Sequence, residues 1–174
     1  MDREMIEPAV RILGVDPGLN ITGYGVLEVQ PGGVRICEAG VVRGRARSMH
    51  QRLAEIHTGL TEVIAALRPQ ALALEQLYAH YKHPRTAILM GHARGVICLA
   101  ATMSELGVTS YSATQIKKVL TGNGRASKSQ MQLAIRNEFQ LPQPPEPADV
   151  ADALAVALCH YYLKVRRAVM PKPA

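Results

Sequence analysis

Four acidic residues stand where they could do chemistry together: Asp16, Glu75, Asp149 and Asp152. Asp16 ends the apolar run Ile12-Leu13-Gly14-Val15 and is followed by the turn former Pro17-Gly18, so it sits at a strand end. Glu75 ends a second run, Ala71-Leu72-Ala73-Leu74, of the kind found in buried central strands. Asp149 and Asp152 are three apart at the start of a helix, which puts both side chains on one face, one turn apart. Each acid also has a structural explanation: a turn residue, a solvated strand end, or a first-turn carboxylate favoured by the helix dipole, the last weighing most for Asp152. Convergence changes the balance. If the two strands are neighbours and the helix crosses their ends, four carboxylates repel one another unless cations bind. Hard oxygen ligands suit Mg²⁺ or Mn²⁺, and two ions roughly 4 Å apart activate water and stabilise a leaving oxygen in phosphodiester hydrolysis.

The elements that must position these acids are legible in order. Strands are expected over residues 12–16, 23–29 and 34–39, the last continuing through Val41-Val42, and the short connections make these three antiparallel neighbours. Met49, Leu53, Ile56, Leu60, Val63, Ile64 and Leu67 recur at spacings of three and four and define one buried helical face ending before Pro69. The strand 71–75 follows, then a long helix over 84–106 interrupted by Gly91 and Gly95, and a fifth strand over 108–111. A short helix over 114–120, the loop Gly122-Asn123-Gly124 and a capping box at Ser127-Lys128-Ser129-Gln130 lead to a helix ending at Phe139. A proline-rich connector, 142–147, precedes the last helix near Ala148. A three-strand meander followed by alternating helices and strands fits a single α/β domain over residues 1–174, with a five-stranded mixed sheet flanked by helices and short flexible tails. Function in such sheets gathers at strand ends.

Composition narrows the function classes. The chain has 174 residues, 48% hydrophobic, which suits one globular domain. Its uninterrupted apolar runs, such as residues 96–101, are far below the roughly 20 residues of a membrane span, and acids occupy the N-terminus where a targeting peptide carries bases, so a cytoplasmic location is expected. Cys37, Cys98 and Cys159 are far apart in apolar contexts, which reads as reduced core thiols rather than disulfides or a zinc site. The net charge of +6 favours a polyanionic partner.

Five segments together resemble the RuvC family of Holliday-junction resolvases. They are Asp16-Pro17-Gly18 with Thr22-Gly23-Tyr24-Gly25, Glu75-Gln76, Gly91-His92-Ala93-Arg94-Gly95, Gly122-Asn123-Gly124-Arg125-Ala126-Ser127-Lys128, and Ala148-Asp149-Val150-Ala151-Asp152-Ala153-Leu154. Each is weak alone, but five in order at compatible spacing, covering nearly all of the chain, are specific. The resemblance implies an RNase H-like fold, a homodimer, and paired symmetric nicking of four-way DNA junctions with Mg²⁺ during recombination and repair. It also implies RuvA and RuvB as partners, and assigns the metal-binding catalytic positions to Asp16, Glu75, Asp149 and Asp152. The mechanism expected on that footing has two Mg²⁺ ions at the scissile phosphate and leaves 5′-phosphate and 3′-hydroxyl ends.

Residues that face DNA follow from charge and aromaticity. After Glu75, Tyr78 and Tyr81 interleave with His80, Lys82, His83 and Arg85, and stacking on bases is worth ~1–3 kcal/mol each. In the family the position of Tyr78 usually carries Phe and is associated with disturbing junction base pairs. His80 and His83 lack the further ligands of a zinc site. Lys117, Lys118, Arg125 and Lys128 surround the glycine loop, where backbone can approach a phosphate. By resemblance Lys117 and Lys128 match lysines that handle DNA, whereas Lys118 fits a solvated helix face equally well. Arg43, Arg45 and Arg47 form a second basic stretch suited to outer junction arms, and Lys164, Arg166, Arg167 and Lys172 read as helix-end and tail charges. Gly91 and Gly95 read as helix-packing positions near a dimer contact. Three rivals stand beside the resolvase reading: an actin-like ATPase, which needs a second lobe; a noncatalytic junction binder, which gains nothing from four carboxylates; and an RNase H-type nuclease acting on an RNA–DNA hybrid.

Overall fold

The computed structural model describes residues 10–77 and 84–166. Strands β1 (Arg11–Asp16), β2 (Ile21–Gln30) and β3 (Gly33–Arg43) form the antiparallel meander, followed by helix α1 (Met49–Leu67) and strand β4 (Ala71–Glu75). Then come α2 (Pro84–Met103), β5 (Gly107–Tyr111), α3 (Ala113–Thr121), α4 (Lys128–Glu138) and α5 (Ala148–His160), the last extended by a π-helical turn, Tyr161–Val165. The sheet order is β3-β2-β1-β4-β5. β1 pairs antiparallel with β2 and parallel with β4, and β4 pairs parallel with β5. Five strands in one mixed sheet flanked by helices is the expected fold class.

The strands sort their residues between two cores by simple alternation. Leu13, Val15, Val26, Leu72 and Leu74 pack with Ile56, Leu60 and Ile64 of α1 and Ala93 and Ile97 of α2. Ile12, Leu27, Ala73 and Tyr111 pack on the opposite face, under Leu154, Val156 and Leu158 of α5 and Ile116, Met131 and Ile135 of α3 and α4. Leu13, Leu60, Leu72 and Leu154 are completely buried, each worth about 1.5–3 kcal/mol relative to exposure.

Differences from the sequence expectation are local. β3 continues through Val41-Val42 as expected and reaches 11 residues, with a register shift where β2 passes from Val26 to Leu27. α2 stops at Met103 rather than at Leu106, and Glu105 takes a left-handed φ of 60° as the chain turns into β5. Ser127 forms the expected capping box with Gln130. The three cysteines are free, but only Cys159 is fully buried. α2 is long and apolar enough by composition to cross a membrane; here its Ala93, Ile97, Ala100 and Ala101 are buried in the core shared with α1 and the sheet. Within the chain neither helix glycine packs closely: a Cβ at Gly95 would meet nothing within 4 Å, and at Gly91 only Leu77 at 3.7 Å.

Candidate active site

Parity and register bring the first two acids together. Val15 lies opposite Leu74 in the parallel β1–β4 ladder, so Asp16 and Glu75 are the next residues on adjacent strands. Val15 and Leu74 face α1 and α2, and alternation therefore turns Asp16 and Glu75 toward α5. Strand spacing of about 4.8 Å makes them neighbours.

Glycines decide how close α5 comes. A Cβ on Gly14 would lie 2.1 Å from the Ala153 carbonyl oxygen, one on Gly23 would lie 2.1 Å from that of Asp149, and one on Gly25 would strike the Leu154 side chain at 2.6 Å. Gly14 pairs with Gly25 and Asp16 with Gly23 across β1 and β2. The sheet thus presents a track without side chains, and the first turns of α5 lie directly on its backbone. That approach places Asp149 over Gly23, beside Asp16. The loop between β1 and β2 is fixed by Thr22, fully buried, whose hydroxyl donates to the Gly18 carbonyl at 2.7 Å.

Asp16 feels the charge of the other three acids. Burial, followed by the charges of Asp152, Glu75 and Asp149, pushes Asp16 up to about 7, while Lys128 opposes the rise. Glu75 is raised by burial and then by Asp152, with Lys117 opposing. Asp152 pairs with Lys128 at 3.3 Å. The helix-dipole explanation weighed most for Asp152 in the sequence, and the structure corrects this: α5 starts at Ala148, so Asp149 occupies the first turn and Asp152 lies a turn further in. Among the described residues no three of these groups already converge as a closed ligand cage. The set is an open cluster of hard oxygen donors, partly desolvated, with two lysines among the described residues, Lys117 and Lys128, to offset it. A divalent cation fits that charge and chemistry.

A groove of about 520 Å³ opens over Asp16 and Glu75, walled by Pro17, Gln76, Leu77, Met90, Arg94 and Thr114. A smaller cleft of about 230 Å³ continues past Glu75 and is lined by Lys117, Lys128 and Asp152. Lys117 and Lys128 are therefore at the acids. Lys118 is exposed and lines neither cleft; Arg125 is exposed on the glycine loop, its backbone N–H held by Asn123 Oδ1 at 2.9 Å. Tyr78, Tyr81, His80 and His83, together with Arg167 and Lys172, lie outside the described residues. Arg166 stacks over the Tyr162 ring at 5.4 Å.

Two features escaped the sequence. Arg94 reaches from α2 to the groove wall, where its guanidinium donates to the Glu75 carbonyl and to Ser110 Oγ; an arginine midway along an apolar helix was the available signal. The loop after β3 is also rigidly built: the Arg45 and Ala46 N–H groups donate to Glu55 Oε2 at 2.7 and 3.0 Å, and Arg52 donates to the Ala46 carbonyl and to Asn20 Oδ1. Arg43, Arg45 and Arg47 are exposed from it at the same sheet end as Asp16.

Residues 12–160 match the family model for crossover junction endodeoxyribonuclease RuvC. The chain belongs to the RuvC family. A crossover junction endodeoxyribonuclease RuvC from Rhodopirellula baltica is 57% identical over 155 residues, covering 87% of this chain and 86% of that protein. The Thermus thermophilus RuvC structure superposes with a TM-score of 0.80 at 32% identity, covering 88% of this chain and 94% of that one. T. thermophilus RuvC in complex with Holliday junction substrate gives 0.81 at the same identity, covering 88% and 93%. The RNase H-like fold of RuvC is therefore the fold of this chain, and this chain is a nuclease of a metal-dependent family.

Proposed function

We propose that this RuvC-family chain resolves four-way DNA junctions by paired symmetric nicks, with Asp16, Glu75, Asp149 and Asp152 holding two Mg²⁺ ions, for which Mn²⁺ can substitute. The observation that carries this reading is that Asp16 lies close enough to Glu75, Asp149 and Asp152 to feel the charge of each, with Asp16 and Glu75 lining a groove, in a chain of this family. When bound, the ions supply Lewis acidity and activation of the attacking water. The chain's own residues do the rest. Asp16 and Glu75 are held on adjacent strands, Asp149 and Asp152 are pressed onto them by the glycine track, and Lys128 and Lys117 balance charge at the rim. Lys117, Lys128 and Arg125 contact phosphates, with Lys118 a weaker participant on its outward face, and Tyr78 stacks on junction bases. Arg43, Arg45 and Arg47 engage a flanking arm, their loop already ordered before DNA arrives.

The reading includes a homodimer formed through α2. Ile88, His92, Gly95, Leu99 and Met103 are exposed at spacings of four, three, four and four, a single stripe along the helix. Ile88, Leu99 and Met103 are 62%, 52% and 70% exposed, which is costly for large apolar groups unless a partner covers them. A second copy offers the same stripe, and two-fold pairing suits two symmetric cuts. RuvA and RuvB as partners and a cytoplasmic location belong to the same proposal.

The test is cleavage of a synthetic four-way junction with and without Mg²⁺, beside linear duplex and an RNA–DNA hybrid. Symmetric nicks in the junction alone are expected. Asp16→Asn should abolish cleavage and spare junction binding; equal cutting of the hybrid would overturn the substrate assignment, and lost binding by a folded Asp16→Asn protein would overturn the role of Asp16.

A further inference from the structure

Arg94 is half-buried midway along α2, beside Gly95 of the exposed stripe. A guanidinium in such a place ordinarily meets a carboxylate. This one donates instead to the main-chain oxygen of Glu75 and, at 2.6 Å, to Ser110 Oγ, and among the described residues it makes no ion pair.

The two acceptors sit at the ends of neighbouring strands. Ser110 pairs with Leu74 in the β4–β5 ladder, and the N–H of Gln76 donates to the Tyr111 carbonyl at 2.8 Å. β4 ends at Glu75, so the Arg94 bond fixes the last peptide before the chain leaves the sheet. Arg94 holds that peptide from the α2 side of the sheet, while the Glu75 side chain is turned toward α5 and the other acids. A rotation of the Glu75 peptide would swing its carboxylate away from Asp16. The planar fork of Arg94 resists that rotation by bonding two strands at once.

We infer that Arg94 is a positioning residue for the metal site: it holds Glu75 in the orientation that receives a divalent cation, and it ties that orientation to α2, the helix that carries the exposed stripe. The inference rests on the proposed nuclease site and deepens it.

The experiment measures Mn²⁺ affinity of the full-length protein by electron paramagnetic resonance of the free ion, beside junction binding in EDTA, oligomeric state and cleavage across a metal titration. Arg94→Ala is expected to weaken Mn²⁺ binding about 10–100-fold, the usual effect of losing a group that orients a ligand. Its junction binding in EDTA should stay within about twofold of the original, its cleavage should recover as metal is raised, and its oligomeric state should not change. Arg94→Lys keeps the charge and one bond, so an intermediate affinity is expected; Ser110→Ala, which loses one acceptor, should fall by a smaller factor than Arg94→Ala. Unchanged Mn²⁺ affinity in Arg94→Ala overturns the inference, as does a loss of EDTA junction binding equal to the loss of cleavage, which would make Arg94 a DNA contact. If Arg94→Ala does not fold, unchanged affinity in both Arg94→Lys and Ser110→Ala overturns it. An original protein that takes up no Mn²⁺ defeats the metal site itself, a result distinct from any variant-specific one.

Discussion

Replacing Gly23 by alanine separates stability from catalysis at the point where α5 meets the sheet. The added Cβ would lie 2.1 Å from the Asp149 carbonyl oxygen, 2.5 Å from its carbon and 3.0 Å from the Asp149 Cβ. An ordinary carbon–oxygen contact is about 3.3 Å, so the first turn of α5 must lift by about 1 Å. Overpacking of this kind costs about 1–3 kcal/mol, and each kcal/mol lowers the melting temperature by about 2–4 °C in a chain of this size. The lift also carries Asp149 away from Asp16, and a misplacement of about 1 Å at a reacting centre costs roughly 100-fold in rate. Urea unfolding and single-turnover cleavage of a four-way junction in Mg²⁺ measure the two effects separately. Gly33→Ala is the control, because a Cβ there meets nothing within 4 Å. A folded Gly23→Ala protein that is destabilised as described yet cuts at the original rate would refute the claim that close approach of α5 sets the acid geometry.

Further outcomes follow from the same geometry. Lys128→Ala should slow cleavage and reduce the slope of log affinity against log salt by about 1, whereas Lys118→Ala should leave cleavage nearly unchanged; similar losses in both would show that the clefts do not distinguish them. Leu99→Glu on the exposed stripe of α2 should give a monomer by analytical ultracentrifugation, and a persistent dimer would place the interface elsewhere. Asp16→Asn should raise the metal-free melting temperature at pH 8, since it removes one of four mutually repelling carboxylates, and a fall would argue that the cluster is not strained. His160 is buried against the Tyr111 hydroxyl at 2.9 Å, and burial, then Lys164, holds it below its usual value of 6.5. The unfolded chain then binds a proton that the folded protein refuses, so stability is full above about pH 6.5 and declines as the pH falls below it. His160→Gln should flatten that decline in urea midpoints taken between pH 7.5 and 5.5; an unchanged slope would assign it to other groups.

The sequence by itself determined the elements and the identity of the four acids. α1 and β4 span the residues their patterns predict, and Ser127 caps α4 as its spacing with Gln130 requires. These signals are local: periodicity, caps and turn formers act within a few residues. Glycines in the Gly23-Tyr24-Gly25 segment were visible as letters, but their purpose appears only when α5 is laid across them. Tertiary structure alone decided that β1 and β4 are parallel neighbours and that alternation turns Asp16 and Glu75 to one face. It also separated Lys117 and Lys128, at the acids, from Lys118, which is a single residue away but rotated by the helix to solvent. Arg94 shows the limit most clearly. Its two acceptors are 19 and 16 residues away, and such contacts depend on strand order and helix placement, which no local pattern encodes.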